Sequence, residues 1–201
     1  KLHQMKILAL SPHPDDVEIG AGGFLLSAID KGAEVHVVYC LYEKIVVVEN
    51  NAKQFNYNFS WLKNTTSKKP RPEYNSDTVK SLDNILYADT YTHLLIPHYG
   101  DSHQDHKTVN ALAQSSARRF NGMILQYEVA LYANRNFDFK PTIFFGIDKY
   151  IDQKREWATS YHDVSMNNWE TVHSLNRVRG NETDDTYAEA FELLKWSNFS
   201  I

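Results

Sequence analysis

The first forty residues constrain the fold most, because they read as one β-α-β unit. Met5 to Leu10 is a short apolar run closed by Ser11 and Pro12. Gly20, Gly22 and Gly23 follow, then a helical run from Phe24 to Lys31, with Gly32 at the position of a helix C-cap. Glu34 to Leu41 is a second strand, rich in Val and Tyr. A helical crossover between two strands of one sheet is right-handed and makes them parallel. The rest of the chain continues the alternation. The spacing predicts helices over Asn51 to Leu62, Ser76 to Tyr87, His106 to Phe120, Ile151 to Tyr161 and Asp185 to Trp196. It predicts strands over His93 to Pro97, Ile124 to Tyr132 and Thr142 to Ile147. Residues 63 to 75, with prolines at 70 and 72, read as a polar loop. The expected fold class is α/β: a three-layer α/β/α sandwich, Rossmann-like, with a mostly parallel sheet. No repeat or linker divides the chain, so residues 1–201 read as a single domain.

Composition narrows the class further. The net charge of −4 is unlike the basic stripe of a nucleic-acid binder. Lys68, Lys69 and Arg71 sit beside two prolines and read as a solvated loop. Cys40 is the only cysteine, which excludes an intramolecular disulfide and suits a reducing, cytoplasmic setting. It ends an apolar run and reads as a buried core residue rather than a nucleophile. No apolar stretch approaches the ~18 residues of a membrane span, and no signal-peptide pattern opens the chain. Lys1 to Gln4, ahead of Met5, read as an expression remnant.

Two polar clusters stand where strands end. Ser11-Pro12-His13-Pro14-Asp15-Asp16 follows the first strand, and His98 to His106 follows the third, with Asp101, His103, Asp105 and His106 inside it. Open α/β sheets bind ligands beyond the carboxyl ends of their strands, so parallel strands carry both clusters to one edge. Catalytic zinc sites use three protein ligands and keep one position open. His103 and His106 are three apart at a helix start, so one can bind metal while the other faces substrate. His13 and Asp16 share that spacing, and Pro14 stiffens the turn between them. Asp15 can then face a bound water and take its proton. The simpler alternative is that Asp15 or Asp16 only caps the next helix. A dinucleotide loop does not fit. Gly20-Ala21-Gly22-Gly23 lacks the required glycine spacing, and carboxylates occupy the turn where pyrophosphate would sit.

These residues resemble a known family. His13-Pro14-Asp15-Asp16 with Glu18, Gly20 and Gly22-Gly23 is similar to the first motif of the LmbE-like, or PIG-L, zinc-dependent N-deacetylases. His103-Gln104-Asp105-His106 resembles their second motif. Arg179-Gly180 and Tyr187 to Phe191 resemble the closing segment, and Tyr127-Glu128, Lys154 and Tyr161 also fall where family features do. The likeness runs over roughly residues 5 to 195. It implies a metal held by His13, Asp16 and His106, zinc first; two histidines and a carboxylate also describe an iron site, which puts ferrous iron second. It implies Asp15 as general base, His103 as the group that stabilises the oxyanion or protonates the leaving amine, and Asp105 as its orienting partner. The implied reaction is removal of an N-acetyl or other N-acyl group from a small amino sugar or its conjugate, N-acetylglucosamine conjugates among them. Alternatives are an amidase for a different sugar conjugate and a non-catalytic sugar-binding protein. The implied partner is a small N-acylated sugar, with no nucleic acid or membrane, and a homo-oligomer is compatible with the sequence.

Three features stand outside the family pattern or its site. Tyr42-Glu43-Lys44 leads into Ile45-Val46-Val47-Val48, a local strand or lid where the family has a short polar turn. Tyr57, Phe59, Trp61 and Trp169 can stack on a sugar, although aromatics at such spacing are more often core. Arg179 is a candidate for binding a substrate anion, with pairing to Glu189 as the alternative.

Overall fold

A computed structural model describes residues 4–63, 71–129, 138–161 and 164–197. In chain order the elements are β1 (Lys6–Ser11), α1 (Asp16–Asp30), β2 (Glu34–Tyr39), α2 (Ile45–Phe55), β3 (Asn58–Trp61), α3 (Ser76–Leu86) and β4 (His93–Pro97). They continue with α4 (Gln104–Ser116), β5 (Met123–Tyr127), β6 (Ile143–Gly146), α5 (Ile151–Thr159), α6 (Met166–Gly180) and β7 (Ala188–Trp196). The strands form one sheet in the order β3-β2-β1-β4-β5-β7-β6. β1 to β5 run parallel, and β7 is antiparallel to both its neighbours.

The strands are apolar on both faces because both are covered. In β1, Ile7 and Ala9 pack with α1, α2, α5 and α6 through Leu25, Phe55, Trp157 and Val172. Leu8 and Leu10 point the other way and pack with α3 and α4 through Leu82, Leu86, Val109 and Leu112. This is the expected three-layer sandwich. Cys40 is buried in the second cluster, as expected of a core thiol.

Several elements differ from expectation. Helix α1 starts at Asp16 rather than Phe24, so Gly20, Gly22 and Gly23 lie inside it. They serve close packing: a Cβ on Gly20 would collide with Tyr127 and with the Glu128 carbonyl. Gly32 does follow the helix end, at φ 85°. The Ile45–Val48 run is neither strand nor lid but the first turn of α2, where Val48, Ala52 and Phe55 are buried one turn apart. The helix expected over Asn51 to Leu62 ends at Phe55 and gives way to edge strand β3. Asp185 to Trp196 is not a helix; Ala188–Trp196 is strand β7, filling the gap between β5 and β6. Its Ala, Glu, Leu and Lys favour helices, but pairing on both sides overrides that preference. Helix α6 is not among the expected elements; His173 and Asn176 interrupt its apolar face. Of the strand expected over Ile124 to Tyr132, residues 130–132 lie outside the described residues.

The glycine-bearing stretch of α1 also meets a fully buried ion pair. Lys154 Nζ on α5 is 2.8 Å from Glu189 Oε1 on β7 and 2.7 Å from Asn176 Oδ1 on α6. Glu189 accepts the backbone N–H groups of Gly23 and Phe24 at 2.8 and 2.7 Å. Glu189 is therefore Lys154's partner, not that of Arg179.

Candidate active site

The site lies beyond the carboxyl ends of β1 and β4, which are neighbours in the sheet. Ser11 ends β1 and shapes the turn that follows: its hydroxyl donates to the His13 carbonyl at 2.6 Å and accepts the Val17 N–H at 3.1 Å. Ser11 thus supplies a bond at the start of α1, and neither aspartate side chain caps that helix. Asp15 has φ 136° and makes no capping bond. A non-glycine residue there is strained, and such strain gathers at functional sites.

Asp16 is the centre of the cluster. Its Oδ2 accepts the His13 backbone N–H at 2.8 Å, and lies 2.9 Å from His13 Nδ1 and 3.1 Å from His106 Nε2. The far nitrogen of each ring meets another carboxylate. His13 Nε2 is 3.0 Å from Asp105 Oδ2, and His106 Nδ1 is 2.7 Å from Asp101 Oδ2. Asp101 Oδ1 also accepts the His103 N–H at 2.8 Å. Outer carboxylates of this kind fix the tautomer and direction of metal-binding imidazoles.

His103 is set differently. Its Nδ1 accepts the Asp105 N–H at 3.1 Å and so caps α4. In the neutral ring the proton then sits on Nε2 as a donor. Burial, with His106 and His13 nearby, lowers its pKa and favours that neutral form. The Asp105 carboxylate lies on His13; its contact with His103 is through the backbone.

The electrostatics follow from packing four carboxylates around these rings. Burial favours neutral Asp16, but the charge and hydrogen bonds of His106 and His13 hold it well below the usual carboxylate range. Burial opposes charge on His106, yet Asp16 and Asp101 push it up to about 10. Asp15 is pushed up to about 8, first by burial and then by the Asp16 charge, with Lys44 working the other way. Lys44 Nζ sits 3.4 Å from Asp15 Oδ2.

Lys44 and Arg71 were not among the expected site residues. Arg71 Nη1 is 3.7 Å from Asp105 Oδ2 while its side chain is 67% exposed at the mouth. Asp101 reads from the sequence only as a member of its cluster. No local pattern marks Lys44 and Arg71; the crossing of loops brings them in. Other expected residues lie outside the cluster. Arg179 is 2.8 Å from Glu128 through both Nε and Nη2, and so is committed to an ion pair. His98 is buried, with Nε2 3.2 Å from Glu192 Oε2. Tyr57 and Trp169 are buried core residues.

The donor set fits a divalent cation. A buried carboxylate oxygen and two imidazole nitrogens converge within 3.1 Å, and both outer nitrogens are held by carboxylates. His13, His103 and His106 also bring ligand atoms within 4.8 Å of one another, an alternative three-nitrogen set.

The fold and site together define a class: an α/β protein with a histidine–aspartate cluster at the carboxyl edge of its sheet. Residues 8–44 match the family model described as PIG-L: GlcNAc-PI de-N-acetylase. Solved structures share the fold over nearly the whole chain. The conserved protein TT1542 from Thermus thermophilus is 20% identical, with TM-score 0.80, covering 98% of this chain and 97% of that one. N,N'-diacetylchitobiose deacetylase from Pyrococcus horikoshii is 19% identical, with TM-score 0.77, over 98% and 88%. GalB, the 4-carboxy-2-hydroxymuconate hydratase of Pseudomonas putida KT2440, is 15% identical, with TM-score 0.81, over 98% and 99%. A deacetylase and a hydratase on one fold mean that the site, not the fold, must argue the reaction. No curated protein matches the chain.

Proposed function

We propose that this chain is a single-domain, metal-dependent hydrolase that removes an N-acetyl or related N-acyl group from a small amino sugar or sugar conjugate. The observation that carries this reading is the convergence of His13 and His106 on Asp16 Oδ2, beside a strained Asp15. His13, Asp16 and His106 would hold the cation, zinc first and ferrous iron second. The single oxygen of Asp16 that meets both rings supports this set beside the three-histidine alternative. A cation there supplies Lewis-acid polarisation of the acyl carbonyl and lowers the pKa of water.

The chain's own groups supply the rest. Asp15, pushed up to about 8, suits a base working near neutral pH. It takes a proton as water oxygen bonds to the acyl carbon. His103 Nε2–H donates a hydrogen bond to the oxygen that gains charge, a role worth several kcal/mol in comparable sites. The carbon–nitrogen bond then breaks, and the proton held by Asp15 passes to the departing nitrogen. The products are a carboxylate and a free amine. Asp105 keeps His13 oriented, and Asp101 keeps His106 oriented. Among the described residues no helix is long and apolar enough to cross a membrane. A small sugar met in a reducing cytoplasm fits the single, buried Cys40.

The test is acetate and amine release from N-acetylglucosamine conjugates by protein loaded with zinc or ferrous iron. Stoichiometric release of both products is expected. Sugar binding without release under either metal would favour the binding-protein alternative.

A further inference from the structure

We propose that Tyr42, held by Trp61, forms a subsite for a second sugar ring of the substrate. The proposal rests on the amide-hydrolase reading above. Trp61 ends edge strand β3 and lies in register with Tyr39 at the end of β2, which in turn lies beside Ser11 of β1. With strands about 4.8 Å apart, the Trp61 backbone is roughly 10 Å along the rim from the turn that bears His13 and Asp15.

The chain leaves β2 and turns back so that the Tyr42 ring meets Trp61 at 4.9 Å and 71°. Trp61 is fixed from below by Tyr39 at 5.4 Å and from the side by Phe59 at 6.2 Å. Tyr42 is nevertheless 55% exposed. An aromatic ring pinned by its neighbours yet open to solvent offers a face at little entropic cost. The same segment is tied to the reacting groups. Two residues on, Lys44 Nζ contacts the Pro14 carbonyl at 3.3 Å and Asp15 Oδ2 at 3.4 Å. Two residues of chain span at most about 7 Å. The platform therefore belongs to the same carboxyl rim as Asp15, and Lys44 reaches from its segment to that carboxylate.

The surroundings select the ligand class. One aromatic face beside Lys44, Glu43 and Asp15 is not an apolar groove for a long acyl chain. It suits a ligand with one apolar face and polar edges. A pyranose has that form: its axial C–H groups meet the negative face of the ring, while its hydroxyls stay solvated or reach the charged neighbours. A monosaccharide at the histidine–aspartate cluster would leave the platform empty, whereas a disaccharide would cover it.

The experiment compares kcat/KM for N,N'-diacetylchitobiose and for N-acetylglucosamine with the zinc-loaded protein. Tyr42→Ala is expected to lower the disaccharide-to-monosaccharide ratio roughly tenfold, through KM rather than kcat, and Tyr42→Phe to keep it. Trp196→Ala is the control, since Trp196 pairs with Met123 at the start of β5, at the amino end of the parallel strands and away from the site. An unchanged ratio in Tyr42→Ala, or equal loss in Tyr42→Phe, overturns the proposal. If the wild type releases acetate from neither sugar, the hydrolase reading fails separately. Calorimetric titration with N,N'-diacetylchitobiose then decides the subsite: weaker binding by Tyr42→Ala than by wild type upholds it, and equal or no binding overturns it.

Discussion

Replacing Asp101 by Asn tests the metal site through a residue that does not touch the cation. Asp101 is buried, with Oδ2 2.7 Å from His106 Nδ1 and Oδ1 accepting the His103 N–H at 2.8 Å. Asn keeps the shape but has one acceptor oxygen instead of two. If its NH2 faces His106, the ring proton is forced onto Nε2, the nitrogen 3.1 Å from Asp16 Oδ2. That nitrogen can no longer bind a metal. If its oxygen faces His106, the His103 N–H loses its acceptor. Outer carboxylates of metal-binding histidines are typically worth 10- to 100-fold in affinity, or about 1.4–2.8 kcal/mol. Part of this is returned, because Asp101 also helps to keep His106 protonated in the metal-free site. The expected net loss is therefore near the lower end, about tenfold. Zinc affinity is read by competition with a chromophoric chelator near neutral pH, alongside urea unfolding to show that the variant is folded. An unchanged zinc affinity in a folded variant refutes the assignment of His106 as a ligand oriented by Asp101.

Three further outcomes are expected. Asp15→Asn should retain zinc but lose about 10²- to 10⁴-fold in kcat, the usual contribution of a general base; full turnover with metal bound would remove Asp15 from that role. Lys154→Met leaves Glu189 buried without its cation, and should cost about 3–5 kcal/mol. A melting scan should then show a drop of very roughly 6–20 °C, partly restored by adding Glu189→Gln; a shift of a degree or two would contradict it. His36 is held between Tyr91 OH at 2.7 Å and Ser60 Oγ at 2.9 Å, and burial lowers its pKa. A lowered histidine pKa means the folded state binds fewer protons, so its contribution is full above about pH 6.5 and is lost as pH falls below it. Urea midpoints should show the gap between wild type and His36→Gln narrowing on acidification, and a constant gap would count against it.

The parts of the fold legible in the sequence are those decided locally. β1, the glycine cap after α1, β2 and β4 rest on short apolar runs and turn residues, which carry their own preference. The motif residues of the site were equally legible, because His13 and Asp16, and His103 and His106, are neighbours within single turns. Helix α2 and strand β7 were misread for opposite reasons. The β-branched residues of Ile45–Val48 look like strand, but a helix there buries Val48 and Phe55 against the sheet. The helix formers of Ala188–Trp196 look like helix, but the open edges of β5 and β6 bond to that segment on both sides.

By itself, then, the sequence determined an alternating α/β chain and two acid–histidine turns placed at strand ends. Only the tertiary structure decided how those turns meet. The adjacency of β1 and β4 brings His106 onto Asp16 and Asp105 onto His13. It also decided that Lys44 and Arg71 reach the site and that Arg179 is taken up by Glu128. The physical reason is range. Propensity and periodicity act over a few residues, whereas hydrogen bonds between side chains some ninety positions apart exist only once the sheet has set its strand order.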